Sequence, residues 1–182
     1  FKTTMIVKGG SLWLLARNPQ ETIGIWTHKV TQQGEGMGQD ILSEIRENRT
    51  LQDHWPCFRN LKEASGTRIT VDRELGPKDP SISVRPILGS STGGRFTWMF
   101  VDDAVEEKII ESKELTRKVD RQIARLFPLK ADDAPVMFIG TIWGTQDPML
   151  LRERDGFFAK VSHQPCFLPG NIPQLRSKEF FL

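Results

Sequence analysis

The sequence predicts an α/β domain whose central sheet is at least partly parallel, and three observations predict it. Residues 98–101 (Trp98-Met99-Phe100-Val101) form an uninterrupted apolar run, the pattern of a strand covered on both faces. Residues 136–139, from Val136 to Ile139, form a second such run. Between them, residues 108–127 carry Leu115, Val119, Ile123 and Leu126 at spacings of four, four and three, the period of an amphipathic helix, with Pro128 directly behind. Two buried strands joined by such a helix make a βαβ unit, whose strands run parallel.

The remaining elements follow in order. Residues 4–16 read as a helix with apolar Met5, Ile6, Leu12, Trp13 and Leu15, weakened by Gly9-Gly10 and stopped by Asn18-Pro19. Residues 22–26 read as a short strand with Ile23 and Ile25 on one face. Gly34, Gly36 and Gly38 mark a loose connection to a helix over 39–48, with Ile41, Leu42 and Ile45 on one side. Residues 56–64 are irregular or briefly helical. Residues 67–72 and 81–87 read as strands around a turn containing Gly76, Pro77, Asp79 and Pro80. The tail, 151–182, holds Pro165, Pro169, Gly170 and Pro173 and reads as a linker or as an extension packed on the core.

Composition sets limits. At 182 residues, 38% hydrophobic and 26% charged, the chain suits one soluble domain of ordinary size. A net charge of +2 does not by itself predict nucleic-acid binding. Cys57 and Cys166 suggest a reducing compartment and are open to either free thiols or a pair; with three scattered histidines they form no zinc spacing. No apolar run of about 18 residues marks a membrane span. The five tryptophans, Trp13, Trp26 and Trp98 among them, read as core residues.

Three features carry chemistry. The apolar run at 98–101 ends abruptly in Asp102-Asp103, with Glu106-Glu107 close behind. Nucleotide hydrolases use such a sheet edge to hold Mg²⁺ and position a water, although a strand followed by a polar turn looks the same. Lys2-Thr3-Thr4 has the Lys-then-hydroxyl order that ends a phosphate-binding loop and opens a helix, whose N-terminal N–H groups favour phosphate. Gly140-Thr141 follows the second buried strand, and open parallel sheets place their ligands at that end.

Taken in order, FKTT at 1–4, LLARNPQETIGIWTHK at 14–29, LGSSTGGRFTWMFVDDAVEE at 88–107 and FIGTIWGTQDP at 138–148 resemble one family. It is the ATPase domain of the tailed-phage terminase large subunit, the DNA-packaging motor. The resemblance implies a P-loop NTPase of the additional-strand type, with a mostly parallel central sheet flanked by helices. It implies an ATPase core over 1–150, starting inside the phosphate-binding loop, and over 151–182 a linker or C-terminal extension toward a nuclease domain. A chain starting there is expected to be inactive by itself. Three departures stand out: Phe1 occupies the place of a Gly before the Lys, Asp103 replaces the Glu of many Walker B motifs, and the family's nuclease domain is absent.

By the same resemblance, the cofactors are ATP and Mg²⁺. Lys2 neutralises the β- and γ-phosphates, Thr3 ligates Mg²⁺ with Thr4 beside it, and Asp102 holds the metal. Asp103 orients the attacking water, with Glu106 the competitor should Asp103 be too short. Glu107 is a helix N-terminal charge. Thr141 couples γ-phosphate state to movement, ahead of Thr145. Arg95, in Gly93-Gly94-Arg95, is a candidate arginine finger for a neighbouring subunit or else a surface residue beside a turn. The implied partners are double-stranded DNA, the portal protein, the small terminase subunit and further copies in a homo-oligomeric ring. The implied location is the host cytoplasm, with no membrane.

DNA contacts are weakly marked. Residues 59–95 hold seven basic and four acidic side chains, a small excess, and Lys29 is a candidate contact. A motor indifferent to sequence needs only phosphate contacts. Two rivals stay open: a helicase-like ATPase of another task, and a non-hydrolysing P-loop relic acting as a binding module. The helicase Ser-Ala-Thr is not seen; Gly140-Thr141 stands in its place.

Overall fold

A computed structural model describes residues 2–28, 36–74, 78–89 and 93–162, together with the backbone of Phe167–Leu168 and Ile172–Pro173. Lys29, Gly34, Gly76, Pro77, Pro165, Cys166, Pro169 and Gly170 lie outside the described residues.

The chain enters as a π-helix, Thr3–Gly9, that runs without a break into α1 (Gly10–Arg17). Gly9 and Gly10 do not interrupt it; both have helical backbone angles and sit where the winding changes. The π winding also moves the buried face, because its turns close at i→i+5 rather than i→i+4. Val7, Ser11, Leu14 and Leu15 are buried, whereas Met5, Ile6 and Trp13 of the expected apolar face are exposed. Trp13 instead lies under the Arg17 guanidinium, 4.7 Å from it.

Strand β1 (Ile23–Thr27) is buried along its whole length. Ile23 and Ile25 point into one core and Trp26 into the other, as alternation requires. Gly24 lies on the Trp26 side, where a Cβ would stand 2.4 Å from the indole, so only glycine leaves room for that ring. Helix α2 (Met37–Glu47) buries Ile41, Leu42 and Ile45 as predicted. It is followed at once by α3 (Arg49–His54), which the sequence reading missed. Asn48 ends α2, its N–H donating to the Glu44 carbonyl, and its side chain accepts a hydrogen bond from the Leu51 N–H (2.9 Å) and so starts a new helix at once. The stretch read as irregular or briefly helical holds a 3₁₀ turn at Pro56–Phe58, which fits that reading, and the strand β2 (Glu63–Ala64), which it did not include.

Strands β3 (Arg68–Thr70) and β4 (Ile82–Pro86) are shorter than predicted and pair antiparallel, with Ile69 opposite Ile82. Strand β5 (Trp98–Asp102) includes the first carboxylate of the Asp pair. The single helix expected over 108–127 is two: α4 (Glu107–Ile110) and α5 (Lys113–Leu126). Ser112 is extended between them, and its hydroxyl caps α5 by accepting from the Leu115 N–H (3.3 Å). Leu115 is consequently exposed, and α5 buries Val119, Ile123 and Leu126. Strand β6 (Val136–Ile139) forms over the predicted residues, but as the last strand of the sheet it is not covered on both faces: Ile139 is buried and Met137 exposed. Helix α6 (Pro148–Arg154) spans the position at which the sequence reading divided core from tail. It is tied to α5 by the Arg152–Asp120 ion pair (2.8 Å), and Phe157 and Phe158 pack edge-on against Phe127 and Phe138. Strands β7 (Phe167–Leu168) and β8 (Ile172–Pro173) pair antiparallel, apart from the main sheet.

The main sheet has the order β2-β3-β4-β1-β5-β6. The neighbours β4, β1, β5 and β6 are parallel, and β3 and β2 extend one edge antiparallel. Helices cover both faces. One core joins Val7, Leu14, Ile41 and Ile45 to Ile23, Ile25, Ile82 and Phe100. The other joins Ile109, Val119, Ile123 and Leu126 to Trp26, Met99 and Val101. The architecture is therefore α/β, with a six-stranded, mostly parallel sheet flanked by helices. Among the described residues, no helix is long and apolar enough to cross a membrane.

Candidate functional site

Register decides what meets at the sheet's C-terminal edge. Thr27 on β1 pairs with Asp102 on β5, and Asp102 pairs with Ile139 on β6. The residues that follow, His28, Asp103 and Gly140, leave the sheet side by side. The start of the N-terminal helix covers the same edge. Lys2 Nζ donates to the Gly140 carbonyl (2.7 Å) and reaches the Thr141 hydroxyl (3.4 Å). The Thr3 hydroxyl donates to both carboxylate oxygens of Asp102 (2.9 and 3.1 Å). Lys2, Thr3, Asp102 and Thr141, expected from three separate segments, are thus brought together.

Asp102 is 2% exposed, and its only close hydrogen-bond partner among the described residues is Thr3. Burial pushes its carboxyl above the usual carboxylate range, and the negative charge of Asp103 adds to this; the Thr3 hydroxyl, Lys2 and Lys8 pull the other way. Lys8 itself pairs with Asp40 of α2.

Asp103 is exposed and adopts φ +43°, the left-handed region that side chains other than glycine seldom enter. Asp and Asn tolerate it best. Its backbone N–H donates to the Ile139 carbonyl (2.9 Å), which locks the turn at the end of β5 onto the end of β6. A carboxylate Oδ1 is the closest atom to the position a Cβ on Gly140 would take, at 3.8 Å, so the carboxylate faces the Gly140-Thr141 turn.

Glu106 is at the same edge, at the N-cap of α4, but its carboxylate is held by His28 Nε2 (3.2 Å). Glu107 sits exposed in the first turn of α4, where a negative charge complements the helix dipole. Thr4 and Thr145 are exposed and contribute no hydrogen bond to the cluster.

Arg95 is not brought to this edge. It precedes β5 at the opposite end of the sheet, seven residues before Asp102, a separation of about 23 Å along an extended strand. Its guanidinium pairs with Asp132 (2.8 Å) and its N–H donates to the Asp79 carboxylate (2.9 Å). Any nucleotide it reached would have to be on another copy of the chain.

Sequence reasoning missed the supports of the site. The loop after Thr141 is held by Asp147, fully buried, whose carboxylate accepts from the Trp143 N–H (3.1 Å) and the Met149 N–H (2.8 Å). Trp143 Nε1 in turn donates to the Val105 carbonyl (3.0 Å), joining this loop to the turn that carries Asp103. Asp147-Pro148 is an N-cap followed by Pro at N1, a helix-start signature readable in the sequence. Removing the carboxylate leaves two amides without an acceptor. Asp147→Ala is expected to cost about 2 kcal/mol in urea unfolding, and Asp147→Asn, which keeps one acceptor oxygen, less. Equal stability of Asp147→Ala and wild type would contradict the capping role.

The donor set at Asp102 and Thr3 is oxygen only, a carboxylate and a hydroxyl, which suits a hard cation such as Mg²⁺. Among the described residues no three His, Cys, Asp or Glu side chains gather around a point that could hold a metal alone. Magnesium in phosphate sites needs no such cluster, because it takes one or two protein oxygens with the rest from phosphate and water. Cys57 is half-buried, with burial pushing its thiol up, and takes no part. Comparison with protein-family models and with curated proteins found no match for the chain.

Proposed function

We propose that the chain is the ATP-hydrolysing motor core of a terminase large subunit, a P-loop NTPase of the additional-strand type that drives double-stranded DNA into a capsid. On this reading it works in a homo-oligomeric ring with the portal protein and the small terminase subunit. One observation carries it: Lys2, Thr3, Asp102 and Thr141, drawn from three distant segments, converge at the C-terminal edge of a parallel sheet. That edge is where open α/β sheets place ligands.

In such a site Lys2 neutralises phosphate charge. Thr3 and Asp102 hold Mg²⁺, which when bound offsets the charge of the β- and γ-phosphates. Asp103, the exposed carboxylate beside them, aligns the water. Thr141, tied through Trp143 and Asp147 to both the Asp103 turn and α6, passes the state of the site to the rest of the domain.

The test measures Mg-ATP binding and turnover in a chain that carries a complete phosphate loop ahead of Lys2. Lys2→Ala should weaken binding at least about tenfold, the size of one charge-assisted contact, with Lys62→Ala as an unaffected control. Normal affinity in Lys2→Ala would remove the phosphate site. Binding without turnover, with or without duplex DNA, would favour the non-hydrolysing relic instead.

A further inference from the structure

The chain's net charge is +2, yet α5 alone holds five Lys and Arg against two carboxylates, an excess of three on one helix. Four of the five, Lys113, Arg117, Arg121 and Arg125, are spaced by four and exposed. They form one ridge, opposite the buried Val119, Ile123 and Leu126. Its steps are about 6 Å and its length about 18 Å.

The acids of its own helix balance the ridge only in part: Glu114 is exposed in the first turn, beside Lys113. Asp120 is engaged by Arg152 of α6, through Nε to the carboxylate (2.8 Å) and Nη2 to the Asp120 carbonyl (2.9 Å). Among the described residues, no ion pair joins Lys113, Arg117 or Arg125 to a carboxylate. Beside the ridge runs a groove of about 700 Å³ between α5 and α6, whose α5 wall carries Lys113, Arg117 and Arg121 together with Glu114 and Asp120 and whose other wall is formed by Pro148 and Leu151.

We infer that this ridge is a docking surface for the phosphate backbone of double-stranded DNA. A regular row of cations fits a polyanion of regular charge, which duplex DNA presents at about 3.4 Å per strand along its axis. A protein partner would call for aromatic anchors in a well-packed pocket, and the ridge has none. The choice of DNA rests on the motor reading, which it deepens by naming the surface that holds the cargo. The contacts are to phosphate, so they carry no sequence preference.

The test is fluorescence anisotropy of a labelled random-sequence duplex with the 182-residue chain across a NaCl series. Arg117→Gln/Arg121→Gln should reduce the slope of log K against log salt by about 2, because each phosphate contact contributes about 0.9. Affinity at low salt should fall at least tenfold, roughly the effect of losing 1.4 kcal/mol. Arg17→Gln/Arg46→Gln, which removes two exposed cations elsewhere, should leave the slope unchanged. An unchanged slope in the ridge variant overturns the inference, as does a wild-type chain that ignores the duplex. Competition by polyglutamate as effective as by duplex would overturn it too, by showing a preference for any polyanion. Failure of the motor reading shows separately, as no Mg-ATP binding in the loop-complete chain whatever the DNA result.

Discussion

Asp103→Asn in a loop-complete chain is expected to lower ATP turnover on the order of 10²-fold or more while Mg-ATP affinity stays within about threefold of wild type. The substitution suits this position. Asp103 holds φ +43°, and Asn is the other residue that tolerates the left-handed region, so the backbone turn and its bond to the Ile139 carbonyl survive. Ala there would add about 1–2 kcal/mol of backbone strain and blur the result. What Asn removes is the negative charge that, on the proposed reading, aligns a water. An interaction used mainly in the transition state affects the rate and not ground-state binding.

Glu106→Gln is the informative comparison. Its carboxylate is already occupied by His28, whereas that of Asp103 is exposed and faces Gly140 and Thr141. Turnover in Glu106→Gln should therefore stay within about threefold of wild type, since no transition-state contact is removed. The reverse pattern would move the catalytic role three residues along the chain. Turnover unaffected by either would mean that this sheet edge performs no hydrolysis.

The parts of the fold that were legible are those in which one physical pattern dominates. The run at β5 is apolar because both faces of the sheet are covered there, and Val119, Ile123 and Leu126 of α5 repeat at the helical period because one side faces the core. The failures came where local hydrogen bonding overrode periodicity. Asn48 and Ser112 each cap a new helix, which split one predicted helix and added another. The π winding at Thr3–Gly9 shifted the buried face, so Met5, Ile6 and Trp13 are exposed.

The candidate site was legible in its residue types and not in its supports. Asp102 and Thr141 announce themselves as a carboxylate and a hydroxyl behind apolar runs, and Thr3 through the Lys-then-hydroxyl order at residues 2–4. Nothing local in the sequence says that Trp143 reaches the Val105 carbonyl or that His28 holds Glu106, because those pairs depend on the strand register. Arg95 stands as the sequence left it, an exposed residue beside a turn at the far end of β5 from Asp102, because a strand separates its two ends by its whole length.

Asp102→Asn should have two opposite effects, and their combination distinguishes a binding group from a structural one. The Asp102 carboxyl is buried, and burial raises its pKa in the folded chain above its unfolded value, with Asp103 adding to the rise. Between those two values the folded state keeps the proton and the unfolded state has lost it. Stability therefore falls as pH rises through that window, which opens near the ordinary Asp value of about 3.9, and the full cost is present above the folded pKa. Asn has nearly the same shape, can still accept from Thr3 and carries no charge. In the unliganded chain it should raise the melting temperature at neutral pH and flatten the fall in stability above that window. In the loop-complete chain the same substitution should weaken Mg-dependent ATP binding by on the order of 10²-fold, the value of a charge-assisted contact of about 2–3 kcal/mol. A residue that costs stability when empty and contributes affinity when filled is kept for its ligand. Scanning calorimetry across a pH series and nucleotide titration with and without Mg²⁺ measure the two halves. A lowered melting temperature in Asp102→Asn would show that the carboxylate's bonds to Thr3 outweigh its burial, making Asp102 a structural anchor for the N-terminal helix.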